Sequence, residues 1–220
     1  TEVLLAQTAL VADAAARIEL AEDVTARAVA RCTPLLTRRD VPEHVRSLTS
    51  PGVLAVEGHL IARIARRADH STNLQRPDSL DPHQEEPVHH DAVGALTSTA
   101  PLVVVEGAAG AGKTTVLRSV RQHLAYHGRQ LVVVTPTMKA ADVAARETGA
   151  EGHSAAWLIH QHGWRWDDDG HWSRQSDPGP CESAALRPGD LLVVDEAGML
   201  DQDTARALLT VADEAGARVA

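Results

Sequence analysis

The chain has 220 residues, 44% of them hydrophobic and 23% charged, which fits a globular protein able to bury a sizeable core as one large domain or two small ones. Its formal charge of -9 argues against holding nucleic acid by overall attraction, because non-specific affinity for phosphates comes from Lys and Arg displacing counterions, so only a local groove stays open. No apolar run approaches the roughly 20 residues a helix needs to cross a bilayer, and two cysteines, Cys32 and Cys181, without a signal-peptide pattern point to a reducing cytoplasm.

With no Phe, one Tyr and four Trp, the core must come from Leu, Val, Ile and Ala, much of it in alanine-rich helix. Residues 1–69 read as a helical N-terminal region. Leu10, Val11, Ala14 and Ile18 recur at helical spacing, and "TRRD" at 37–40 has the form of a capping box. Ser50 and Pro51 suit the cap and first position of a further helix, whose stripe is Val53, Val56, Leu60 and Ile64. The polar, proline-punctuated stretch 69–87 marks a domain boundary, with 70–79 as the linker and 80–220 as the second domain.

From there the pattern alternates. "LVVVE" (102–106), "LVVVT" (131–135) and "LLVVD" (191–195) are nearly unbroken apolar strands, as in a parallel sheet covered on both faces. A helix from Lys113 carries Val116, Leu117, Val120 and Leu124 and stops at Gly128; another after Asp201 buries Ala205, Leu208, Leu209 and Ala212 and stops at Gly216. The expected class is therefore α/β, a parallel sheet with flanking helices preceded by a small helical region.

Between the first strand and the helix after it lies "GAAGAGKTT". Gly107 and Gly112, with four residues between them and followed by Lys113 and Thr114, form G-x-x-x-x-G-K-[ST] in the strand-to-helix context the motif requires. That context aims the backbone N–H groups from Gly107 through Ala108, Ala109, Gly110, Ala111 and Gly112 to Lys113, Thr114 and Thr115, together with a helix dipole, at one point where a phosphate chain can rest. Lys113 would reach the β and γ phosphates and the Thr114 hydroxyl would bind Mg²⁺. An accidental match in a plain turn is on the order of a one-percent event in a chain this long.

A magnesium-nucleotide site needs a second acid at a neighbouring strand end, and "LLVVDEAGML" supplies it. Asp195 would hold the metal through water, and Glu196 would orient and deprotonate the attacking water. "DEAG" also fits the D-x-x-G of GTPases. The long gap between Lys113 and Asp195 and the paired acids oppose that reading.

"LDPHQ", "VVVEGAAGAGKTT", "VVVTPTMKAA" and "LLVVDEAGMLD", in this order, resemble the first RecA-like lobe of RecD-type superfamily 1 DNA helicases, as in the helicase part of TraA/TrwC-like (MobF) conjugative relaxases, a group of AAA-family ATPases. The resemblance covers about residues 80–220. It implies a P-loop NTPase fold truncated at its C-terminus, with ATP and Mg²⁺ as cofactors, single-stranded DNA as partner and a second RecA-like lobe in the full-length chain. It further implies that Gln84 reads adenine and that Thr135, Pro136 and Thr137 touch the DNA backbone; from the residues alone the last three fit a strand-end turn equally well. "ARVA" at 217–220 looks like the start of a strand that in this family lies between the phosphate-loop strand and the Asp195 strand.

Two further features need readings. In residues 163–180 an Asp-Gly separates two short segments as in a hairpin insertion, with Trp164 and Trp166 on one face and Trp172 opposite. These tryptophans either hold the hairpin together, the plainer reading, or stack on unpaired bases. His123, His127 and the "HQH" at 160–162 lack Cys or acidic companions at ligand spacing, so packing or solvated roles are expected. The single Tyr126 lies inside a helix, and strand nicking is not expected. The function classes left are an ATP-driven motor lobe and a nucleotide-binding module without motor activity.

Overall fold

The computed structural model describes residues 14–31, 33–34, 48–69, 87–107, 111–167, 172–175 and 179–220. By internal contacts the chain divides into Thr1–Glu57 and Gly58–Ala220. In the first unit, helix α1 (Ala14–Arg31) is followed by two short antiparallel strands, β1 (Thr33–Pro34) and β2 (Leu48–Thr49). The expected capping box at 37–40 and the 70–79 linker lie outside the described residues. Helix α2 (Pro51–Asp69) straddles the division; the Ser50 hydroxyl accepts from the Val53 N–H at 3.1 Å, so the predicted cap forms.

The larger unit is an α/β lobe. After α3 (Pro87–Thr97) and α4 (Lys113–Tyr126) come β3 (Leu131–Thr135), α5 (Met138–Thr148), β4 (Glu151–Ser154) and α6 (Ala155–Gln161). The hairpin β5 (Trp164–Trp166) and β6 (Trp172–Arg174) precedes β7 (Leu191–Val194), α7 (Gln202–Ala215) and β8 (Arg218–Val219). The sheet order is β4-β3-β7-β8, all parallel, and Leu102 extends it by a parallel bridge to Val219.

Alternation along the strands divides the core. Leu131, Val133, Leu191 and Val193 face Val93 and Leu96 of α3 and Val116, Val120 and Leu124 of α4. Val132, Val134, Leu192 and Val219 face Leu158 and Ile159 of α6, the hairpin tryptophans and Leu208 and Val211 of α7. Each such Leu, Ile or Val contributes about 1.5–3 kcal/mol when fully buried, so the central strands dominate the stability of the lobe. The helix ends follow the sequence: Asp201 caps α7 by accepting from Thr204 N–H, and Gly128 and Gly216 follow their helices at φ 67° and 65°.

The run 102–106 departs from expectation. Val103 N–H donates to Val219 at 3.0 Å, but β8 ends at Val219, and Val104 and Val105 are 79% and 43% exposed. A strand needs a neighbour for its hydrogen bonds, and here the ladder runs out after its first residues. Helix α3, β4 and α6 were not foreseen. Polar β4 belongs to the sheet because Gly152 lets it approach α5: a Cβ there would lie 2.6 Å from the Ala141 carbonyl oxygen.

Candidate nucleotide-binding site

The C-terminal ends of the parallel strands carry the chemistry, as expected for an open α/β sheet. Helix α4 starts after Gly112, whose backbone is left-handed at φ 77° and ψ 17°. No side chain caps this helix and its first turn holds no acid, so its N–H groups and positive dipole end are available to an anion. Gly107 lies against the lysine stem, 3.5 Å from an ideal Cβ to Lys113 Cγ. Ala108–Gly110 and Gln84 lie outside the described residues, Ala111 is exposed, and Thr115 is an exposed residue of the first turn.

Lys113 Nζ stands 3.9 Å from Asp195 Oδ1, so the two halves of the motif, far apart in sequence, meet. Asp195 is fixed by its own N–H, which donates to Val134 at 2.9 Å and continues the β3–β7 ladder past the end of β7. The next N–H, of Glu196, donates to Asp195 Oδ1 at 3.1 Å. Glu196 has φ 57°, the only positive φ at a residue other than glycine among the described residues. Strain of this kind collects where a side chain must be aimed.

A cavity of about 390 Å³ is lined by Lys113, Thr114, Thr137, Lys139, Glu147, Asp195 and Glu196. Lys113 and Asp195 also line a smaller one of about 170 Å³ with Val105, Gly107 and Ala111. Glu147 was not anticipated from sequence. It accepts from the Thr114 hydroxyl at 3.1 Å, while its backbone carbonyl accepts from Arg118 at 2.8 Å. It is an exposed acid on a different helix, and nothing in the local pattern marks it.

The donors, carboxylates and a hydroxyl, are hard oxygens of the kind Mg²⁺ takes. Among the described residues no three acidic, His or Cys side chains converge into a metal cage. Mg²⁺ is commonly held by one or two protein oxygens and completed by phosphates and water. The residues present therefore fit a magnesium-nucleotide pair.

Thr135 ends β3, and Pro136 and Thr137 follow it, Thr137 bordering the 390 Å³ cavity. Thr135 is buried, and its hydroxyl donates to the Thr137 carbonyl at 2.7 Å. Thr137 caps α5 by accepting from Ala140 N–H at 3.3 Å and is the exposed, cavity-lining member. In the hairpin, Trp166 pairs across from Trp172, their rings T-shaped at 5.2 Å. Trp164 and Trp172 are buried, Trp172 Nε1 donates to the Thr204 hydroxyl at 3.0 Å, and the Arg206 guanidinium lies 5.6 Å from the Trp164 ring centre. Two of the three tryptophans thus belong to the core, and Trp166 is half exposed.

The histidines pack rather than gather. His123 and His127 rings are 4.7 Å apart, and burial, with His127 and Arg129 nearby, holds His123 below its ordinary pKa. Burial likewise lowers His162, whose Nε2 lies 2.9 Å from the Ala184 carbonyl oxygen.

A family model described as an AAA domain (AAA_30) matches residues 79–220, the stretch that holds the sheet and every described part of this site. The chain belongs to this AAA-domain family of P-loop ATPases. The family includes RecD-like helicases. No curated protein matches the chain. Membership of this family supports nucleotide binding and hydrolysis by the AAA domain. No helix of the AAA domain, or of the other described residues, is long and apolar enough to cross a membrane.

Proposed function

We propose that this AAA domain is the ATP-binding and ATP-hydrolysing lobe of a DNA helicase or translocase that acts on single-stranded DNA, within a conjugative relaxase-helicase. The observation that carries the reading is the meeting of Lys113 with Asp195 at 3.9 Å, with Glu196 next in the chain and Thr137 on the same cavity.

The residues divide the work. The N–H groups at the start of α4 receive the phosphate tail, and the Lys113 ammonium offsets charge on its terminal phosphates. Thr114 and Asp195 hold the metal, which when bound neutralises charge on the bridging and leaving oxygens. Glu196 orients a water and takes its proton, a role matched by its exposed position beside Asp195. Gln84 reads adenine. Thr137 starts α5 and borders the cavity, so movement at the nucleotide passes by a short route to the turn proposed to touch DNA.

Among the described residues no arginine lines either cavity, and the 220-residue chain by itself is expected to turn over slowly, with a further cation supplied by a second lobe in the full-length protein. The test is steady-state ATPase of the full-length gene product with and without single-stranded DNA. Stimulation by DNA, and its loss together with basal hydrolysis in Lys113→Ala, is the expected result. Hydrolysis that ignores DNA would remove the motor, and activity untouched by Lys113→Ala would move the chemistry elsewhere.

A further inference from the structure

The opposite, N-terminal end of the sheet holds a second chemistry. A cavity of about 700 Å³ opens where the chain enters β7 and β8, and it shares no lining residue with the nucleotide cavities. Five guanidiniums line it, those of Arg63, Arg66, Arg67, Arg129 and Arg218, against one carboxylate, Asp213. On a chain whose formal charge is -9 this is a concentrated patch of the other sign.

Asp213 is already engaged. It pairs with Arg63 and receives Arg67 Nε at 2.8 Å. Arg67 also donates to the carbonyls of Pro101 and Ala217, so these groups build the wall. Arg218 differs. It is 6% exposed and donates Nε and Nη2 to Ala100 and Leu96 carbonyls, but its Nη1 is buried with no partner. Leaving a charged donor unpaired in the interior costs free energy unless something outside the chain satisfies it.

Its neighbour makes matters worse for the protein alone. Arg129 is exposed, its guanidinium lies against Gly189, 3.0 Å from an ideal Cβ to Nε, and no carboxylate pairs with it among the described residues. Burial, with the Arg129 charge nearby, lowers Arg218 to about 10. Two like charges kept together without a carboxylate call for an anion between them.

We propose that this cavity binds a compact, multiply charged phosphate anion, inorganic pyrophosphate or the phosphate tail of a nucleotide, between Arg129 and Arg218. The charges surround one cavity of a size suited to a small ligand instead of running as a stripe, and the acidic chain around them repels a long polyanion. Among the described residues no aromatic side chain lines the cavity to offer a stacking platform for unpaired bases.

The test titrates the 220-residue chain carrying Lys113→Ala, which weakens the phosphate loop, with inorganic pyrophosphate, with ADP and with a short oligothymidylate by calorimetry. One equivalent of pyrophosphate or ADP is expected to bind, less tightly as salt rises; the tighter of the two identifies the source. Arg129→Ala should weaken this about tenfold, the scale of one lost charge-assisted hydrogen bond. Arg129 is exposed, and an unchanged thermal midpoint would show that the fold survives. Absence of uptake, uptake indifferent to the substitution, or oligothymidylate binding tighter than either phosphate ligand would each overturn the proposal.

Discussion

The same four residues, Leu-Val-Val-Val, occur at 102–105 and at 131–134, and they end differently. The second copy opens β3, buried along its whole length between β4 and β7. The first is held by the bridge at Leu102, in which Val103 N–H donates to the Val219 carbonyl and Val219 N–H to the Pro101 carbonyl, after which Val104 and Val105 meet solvent. Propensity is identical, so the difference lies in neighbours: a β-branched run becomes a strand where ladders exist on its flanks. The locked copy leads into the Thr135–Thr137 turn, and the 102–105 copy leads toward Gly107 and the start of α4.

Equivalent substitutions in the two copies should expose that contrast most strongly. Val133→Asp places a charge without a partner in the middle of the sheet and should cost several kcal/mol, enough to unfold the lobe. Val104→Asp, at a position 79% exposed, should stay within about 0.5 kcal/mol of the parent. Urea denaturation of both 220-residue variants measures the gap, and equal losses would mean that the 102–105 run is held as firmly as β3.

Next in size is the removal of a neighbour. Gly152→Ala drives a Cβ to 2.6 Å from the Ala141 oxygen and 2.8 Å from the Ala145 Cβ, forcing β4 and α5 apart at a cost of about 1–3 kcal/mol. Hydrogen exchange at Val132–Thr135 should then quicken toward that of residues 103–105. Unchanged exchange would show that β7 alone suffices to hold β3.

A smaller effect comes with acid. His162 belongs to the layer under the even-numbered face of β3, and burial keeps its folded pKa below the ordinary 6.5. Above 6.5 both folded and unfolded forms are neutral and the contribution is complete. As pH falls below 6.5 the unfolded chain takes up the proton first, so stability declines until the folded pKa is reached. The thermal midpoint should therefore drop below pH 6.5, with a shallower slope in His162→Gln; identical slopes would assign the loss to other groups.

These contrasts also mark what was legible in the sequence. Periodicity located β3, β7, α4 and α7 because each buries a stripe of Leu, Val and Ala, and Asp201, Gly128 and Gly216 signal their ends through capping chemistry. The meeting of Lys113 with Asp195 was legible because the motif and the strand end each demand the same ligand. Polar β4 was not, since its place depends on Gly152 fitting under α5. Nor was Glu147, which reaches Thr114 from another helix, or the arginine cavity, whose members come from α2, the segment before β3 and the start of β8. Contacts assembled by topology leave no trace in local spacing.

The smallest expected change concerns the turn at Glu196, and it separates durability from work. A side chain held at φ 57° carries about 1 kcal/mol that glycine would not. Glu196→Gly should thus melt slightly higher while losing the carboxylate proposed to prepare water, and a variant that melts lower would refute the idea. Selection for robustness and selection for turnover would pull this one backbone torsion in opposite directions.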